Sequence, residues 1–169
     1  MIFDEITSAF RLNTGGVHLL YGVDPDIAVF AKAISNGYPM GAIIGSGKVM
    51  KAAQSTFISS TYWTERIGPT AALATISKHR QFDVSKHLMA TGKKIQEIWK
   101  CSANKADIKI HISGILPLSS FSFDYPSGQA MMTLFTQMML ERGFLAAGKF
   151  YASYAHQDIH ITAYQQAVD

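Results

Sequence analysis

Two side chains of opposite charge stand directly behind apolar runs. Asp4 follows Met1-Ile2-Phe3, and Lys32 follows Ile27 to Ala31. A third candidate, Thr61, sits in the polar stretch Ser59-Ser60-Thr61-Tyr62-Trp63-Thr64. In an open α/β sheet the C-terminal ends of the strands line the ligand crevice. If the strands before Asp4 and Lys32 are parallel neighbours, both side chains reach that edge. An amine and a carboxylate at one crevice suit pyridoxal phosphate. The amine forms a Schiff base with its aldehyde, and the carboxylate keeps the pyridine nitrogen protonated so that the ring can take up electrons. Such an amine can also move a proton once substrate has displaced it. The apolar flanks Phe30 and Ala31 suggest a desolvated lysine, as a nucleophilic amine requires. The residues alone leave other readings open. Lys32 also reads as a surface lysine, Asp4-Glu5 as a strand-end turn or helix cap, and Thr61 as an ordinary turn hydroxyl.

The elements that would position these groups follow from pattern. Ile27 to Ala31, after Asp24-Pro25-Asp26, reads as a short buried strand. Ser35-Asn36-Gly37-Tyr38-Pro39 is a turn, because Asn-Gly tolerates positive φ and Pro39 stops a helix. Met40 to Ile44 reads as a second strand, Lys48 to Gln54 as a short helix, and Pro69 to His79 as a helix opened by proline in its first turn. Apolar residues at Val84, Leu88, Ile95, Ile98 and Trp99 predict a long amphipathic helix over 84–100. Ile108 to Ile112 and Leu118 to Phe123 alternate as strands do. Gln129 to Arg142 reads as a helix closed by Gly143, and Asp158 to Val168 as a terminal helix. This order predicts an α/β part, residues 1–82, followed by an α+β part, residues 83–169.

Composition narrows the class. The 169 residues carry a net charge of +3, 48% hydrophobic residues and only 16% charged ones. That argues for buried surface and against disorder. The pI is near 9.0, but lysines and arginines are scattered without a basic block, so no nucleic-acid partner is expected. No apolar run approaches a membrane span, so no membrane partner is expected either. The single cysteine, Cys101, allows no internal disulfide and fits a reducing, cytoplasmic compartment. The histidines show no metal-ligand spacing, so no metal is expected. Nor does any Gly-x-Gly-x-x-Gly or Walker-type loop follow a strand, which disfavours a nucleotide-binding domain.

The segment Ile2-Phe3-Asp4-Glu5-Ile6-Thr7-Ser8-Ala9-Phe10-Arg11 resembles the Asp-Glu-Val motif of class III aminotransferases, which are PLP-dependent and of fold type I. Gly22-Val23-Asp24-Pro25-Asp26-Ile27, with Phe30-Ala31-Lys32-Ala33-Ile34-Ser35-Asn36-Gly37-Tyr38-Pro39-Met40-Gly41-Ala42, resembles that family's cofactor-lysine segment. Met139 to Gly143 and Ala155 to Ile159 look like its small C-terminal domain. The nearest flavour is the glutamate-1-semialdehyde aminomutase branch and its relatives in polysaccharide biosynthesis, which Thr56 to Arg66 resembles more. The resemblance implies the C-terminal part of the PLP-binding large domain (1–82) followed by the small domain (83–169). It implies that Lys32 forms the internal aldimine and shuttles protons, that Asp4 pairs with the pyridine nitrogen, and that Ile6 packs on one ring face. Thr61 would serve the cofactor phosphate, in this family that of the neighbouring subunit, which implies a homodimer with shared sites.

It further implies amino transfer from a small-molecule donor to a keto or aldehyde acceptor, a keto-sugar through the branch resemblance, or a semialdehyde or keto acid. Family chains are more than twice this long. The chain is therefore expected to be a fragment or truncated product that binds the cofactor poorly by itself. In place of the Gly-Asn-Pro that often follows the phosphate threonine stands Thr64-Glu65-Arg66, and Thr56 or Thr64 are substitutes for Thr61. Between Gly143 and His156 there is no glutamate like the one that tunes the aminomutase pocket, so aminomutase activity is not expected. Arg11 suits a substrate carboxylate or, more readily, an ion pair with Glu5. Tyr62 and Trp63 suit a pocket wall, core or dimer interface. His156 is not expected to be catalytic. The rival class is an inactive remnant kept as a dimerisation or interaction domain.

Overall fold

The computed structural model describes residues 1–61 and 64–169; Tyr62 and Trp63, and the expectations attached to them, lie outside the described residues. The chain divides into two compact units, Met1–Ser85 and Lys86–Asp169.

In the first unit β1 (Ile2–Asp4), β2 (Ile27–Phe30) and β3 (Ala42–Gly45) form a sheet in that order. β1 runs parallel to β2, with Ile2 opposite Ile27 and Asp4 opposite Val29; β3 returns antiparallel, with Ala42 opposite Phe30. The alternation of a strand sends Ala28 and Phe30 into the core. They meet Ala9, Phe10, Ile34 and Ala72 there. β3 starts two residues later than the apolar run suggested, because Pro39 and Gly41 hold the preceding segment out of the ladder. The expected helix over 48–54 is α1 (Gly47–Met50), continued by a 3-10 turn, Lys51–Ser55. α2 (Ile67–Gln81) buries Gly68, Ala72 and His79, which share one face, and packs on the 3-10 turn Lys32–Ser35.

A buried acid sits under β1. The Glu5 amide extends the ladder by donating to the Val29 carbonyl at 2.9 Å. Its carboxylate is only 3% exposed. Oε1 accepts from the His18 amide and meets the ring Nδ1, both at 3.0 Å, while Oε2 accepts from the Ser8 hydroxyl. Burial pushes this carboxyl up, but the donors Ser8, the His18 and Val17 amides and the His18 ring together outweigh it, and the net shift is downward from 4.5. Gly16 is needed for this closeness: a Cβ there would stand 2.4 Å from His18 Nδ1 and 2.9 Å from Glu5 Oε1.

The second unit is α+β. α3 (Val84–Lys105) enters it at Lys86, and β4 (Ile110–Ser113), β5 (Leu118–Phe123) and β6 (Lys149–Tyr151) form an antiparallel sheet in that order. α4 (Gly128–Glu141) and α5 (Asp158–Val168) complete it. β6 was not anticipated, since three residues are too few to show alternation. Ile95, Ile98 and Trp99 of α3 pack with Phe121, Met139, Ile161 and Tyr164. Within that cluster Trp99 Nε1 donates to the Tyr164 hydroxyl at 2.8 Å. Gly92 lets α3 press on the β4–β5 loop, where a Cβ would lie 1.8 Å from the Leu116 carbonyl oxygen.

Two outcomes follow from these contacts. Gly92→Ala should destabilise the second unit by about 2 kcal/mol or more, since backbone must move; an unchanged thermal midpoint would contradict the close approach. Because the Glu5 carboxyl is depressed, its stabilisation is complete above about pH 4.5 and is lost as pH falls through the folded-state value. The protection factors of the β1–β2 amides, taken against the intrinsic exchange rate at each pH, should therefore fall in acid, and Glu5→Gln should flatten that acid limb. An acid limb identical in the variant would remove Glu5 from the account.

Candidate functional site

β1 and β2 end at one edge of the first sheet, and two of the candidate residues stand there. Asp4 is the last residue of β1, and Lys32 opens the 3-10 turn that follows β2 after Ala31. Parallel pairing puts both on the C-terminal side of the strands, as the crevice argument requires. Both are exposed.

The segment after β1 is tightly held. Asp4 Oδ1 accepts from the Ile6 amide at 3.0 Å, which fixes the carboxylate against its own turn. Among the described residues Oδ2 accepts no hydrogen bond. The Ala9 amide donates to the Glu5 carbonyl at 3.0 Å, and Arg11 Nε donates to the Thr7 carbonyl at 3.4 Å. Glu5 itself turns inward to Ser8 and His18. Ser8, Glu5 and His18 do not form a nucleophile relay, because the Ser8 hydroxyl donates to the acid and not to the imidazole.

Phe10 closes the segment with φ +59°, uncommon for a bulky side chain. His79 of α2 secures it from behind. Nε2 donates to the Phe10 carbonyl at 3.1 Å, and Nδ1 accepts from the Thr14 hydroxyl at 2.8 Å. A carbonyl can only accept, so Nε2 carries a proton; burial favours the neutral ring, in which Nδ1 is the acceptor for Thr14. Burial pushes the His79 pKa below 6.5, opposed by the Phe10 carbonyl and by Asp83. α2 thus braces both halves of the edge, through His79 and through its packing on the Lys32–Ser35 turn.

Lys32 also has a left-handed backbone, φ +51°. Its Nζ donates to Thr7 Oγ1 at 2.5 Å, so the amine turns toward the β1 segment. The desolvation expected from Phe30 and Ala31 is not supplied by them. Phe30 points into the core, where its ring meets those of Phe10 and His18, and Lys32 faces outward. Ile6, half-buried, lies next to the Asp4 carboxylate. Thr61 is exposed in a turn before α2, and among the described residues no hydrogen bond links it to Asp4 or Lys32. His156 lies in the second unit. Its Nδ1 accepts from the Ser153 amide at 3.0 Å, and burial, His160 and His87 push its pKa down.

An amine and a carboxylate on adjacent parallel strand ends, one carboxylate oxygen fixed and the other open, match the chemistry of the pyridoxal phosphate aldehyde and ring nitrogen. The donors fit the group. Sequence reasoning did not single out Thr7, His18 or His79. The left-handed Lys32 that turns its amine to Thr7 has no signature in composition. His79 sits among Lys78 and Arg80, where a basic residue reads as ordinary helix-end charge. His18 follows Gly15-Gly16, the one local hint of a close approach.

No helix is long and apolar enough to cross a membrane among the described residues. The family described as Aminotransferase class-III matches residues 1–153. A 3-aminobutyryl-CoA aminotransferase of Cloacimonas acidaminovorans is 32% identical over 127 residues, 73% of this chain and 31% of that protein. A glutamate-1-semialdehyde 2,1-aminomutase of Desulfosudis oleivorans is 29% identical over 178 residues, 95% of this chain and 42% of that protein. The chain therefore spans less than half the length of these relatives. Among solved structures, the FumI protein of Sphingopyxis sp. MTA144, in its PLP internal aldimine form, superposes with a TM-score of 0.91 at 20% identity; the match covers 99% of this chain and 41% of that one. An omega-transaminase from Sphaerobacter thermophilus gives 0.85 at 21% identity, over 99% of this chain and 42% of its own. These likenesses establish the fold, that of the type I PLP-dependent transaminases. With its family's profile matched over most of its length, the chain belongs to the class III aminotransferases.

Proposed function

We propose that the β1–β2 edge is the cofactor-holding part of a PLP-dependent aminotransferase, with Lys32 and Asp4 as its catalytic residues. The observation that carries this reading is the pairing of Asp4 with Val29 in a parallel ladder, which sets the carboxylate beside the turn that bears Lys32. When bound, pyridoxal phosphate supplies an aldehyde for covalent attachment and a protonated ring that accepts electrons from the substrate carbon. Lys32 Nζ provides the covalent hold and later moves a proton to or from the substrate carbon. Asp4 keeps the positive charge on the ring nitrogen, and its fixed Oδ1 means that little ordering is left to do. Ile6 lends apolar surface to one ring face. Thr61 serves the phosphate, by the family motif in the neighbouring subunit's site, so the working form is a homodimer. The left-handed Lys32 supports the reading as well, because backbone strain of this kind concentrates at functional sites.

The same reading divides the chain into part of the large cofactor domain, 1–82, and the small C-terminal domain, 83–169. The donor is a small amine and the acceptor a ketone or aldehyde. A keto-sugar is favoured by the likeness of Thr56 to Arg66 to the polysaccharide branch. The lone cysteine, exposed, suits a cytoplasmic setting.

Lys32 is tested by incubating the chain with excess pyridoxal phosphate, reducing with borohydride, and mapping the modified peptide; reduction captures even a weakly held cofactor. The label should fall on Lys32 and vanish in Lys32→Ala. Asp4→Asn should weaken cofactor affinity about tenfold, as loss of a charge-assisted hydrogen bond does. Label spread evenly over Lys48, Lys51 and Lys93 would favour the inactive-remnant reading instead.

A further inference from the structure

Thr7 has no role in the motif-based reading, yet its hydroxyl is the group that receives the Lys32 amine. We propose that Thr7 is a positioning residue for Lys32, its side-chain oxygen holding Nζ at the β1–β2 edge; this rests on the reading of Lys32 as the cofactor lysine. Lys32 Nζ and Thr7 Oγ1 are 2.5 Å apart across 25 residues of chain. The two partners differ in freedom. Lys32 is an exposed side chain with a flexible four-carbon stem, and ordering such a stem costs about 2 kcal/mol. Thr7 is half-buried and branched, with few rotamers. Its carbonyl accepts from Arg11 Nε at 3.4 Å, and the turn around it is held by the Ile6 amide on the Asp4 carboxylate and the Ala9 amide on the Glu5 carbonyl. A rigid oxygen therefore restrains a mobile amine.

The chemistry of the pair suits that task. An ammonium has three donors, and Thr7 occupies one of them, leaving two directions open. A hydroxyl carries both a proton and lone pairs. It accepts from the ammonium and can donate to the neutral amine, so the contact survives loss of the proton that must precede attack on an aldehyde. The left-handed turn at Lys32 has a purpose on this account: it directs the stem toward the segment that also carries Asp4 and Ile6. Amine, carboxylate and apolar ring support are then referred to one rigid piece of backbone.

Three variants of the whole chain test this. Thr7→Val keeps the branched shape and removes the oxygen, Thr7→Ser keeps the oxygen, and Thr7→Ala is a second deletion in case valine disturbs the turn. The first readout needs no cofactor: NMR exchange of the Lys32 side-chain N–H protons with water. Thr7→Val should speed this exchange about fivefold, the equivalent of ~1 kcal/mol of lost hydrogen bond, with Lys48 unchanged as internal reference. The second is the rate of pyridoxal phosphate capture at Lys32 under borohydride, expected to fall about fivefold in Thr7→Val and Thr7→Ala and to recover in Thr7→Ser. A purely structural role for Thr7 would not give recovery by serine with exchange altered at Lys32 alone. Unchanged exchange and capture in both deletions, with the wild type still labelled at Lys32, would overturn the Thr7 proposal and leave the cofactor reading standing. Absence of capture at Lys32 in the wild type would overturn the cofactor reading, and this proposal with it.

Discussion

Three residues of parallel ladder between β1 and β2 determine everything proposed for this chain. Ile2 opposite Ile27 and Asp4 opposite Val29 bring the ends of two distant segments to one edge. A slip of one residue would carry Ala28 and Phe30 out of the core and turn Asp4 away from the edge, because the side-chain period of a strand is two. The register is therefore protected by burial. Phe30 and Phe10 pack edge to face, and no other position of β2 would place an aromatic ring there.

So short a ladder needs support from below and behind. From below, Glu5 extends it through its amide and ties the β1 segment to His18 through its carboxylate. From behind, α2 grips Phe10 through His79 and lies on the Lys32–Ser35 turn. These groups do no chemistry themselves. They hold the two segments that carry Asp4 and Lys32 at one edge, as the proposed site requires. Thr7 belongs to the same design at closer range, since it acts on the amine directly.

Much of this was legible in the sequence because it rests on local pattern. The strand over Ile27 to Phe30, the β5 strand, the terminal helix and the long helix that begins at Val84 follow from alternation or 3.6-residue spacing. The shared edge position of Asp4 and Lys32 was legible in the same way, through their places behind apolar runs. What was not legible depends on three-dimensional closeness. Nothing in the string Glu5-Ile6-Thr7-Ser8 tells which oxygen faces the lysine and which the buried acid. Of the two readings of Lys32, desolvated or surface, the apolar flanks favoured the first, but an apolar neighbour in sequence need not be one in space, and Phe30 faces the other way. β6 was missed because Lys149-Phe150-Tyr151 is too short for a period, and its pairing with Leu118 to Ser120 is entirely non-local.

Lys32 and Asp4 are proposed to address one cofactor. A crystal structure of the chain after reduction with borohydride in the presence of pyridoxal phosphate tests it most directly. Continuous density from Lys32 Nζ into the cofactor is expected, with the ring nitrogen turned to Asp4. Density on another lysine, or a ring nitrogen facing away from Asp4, would contradict it.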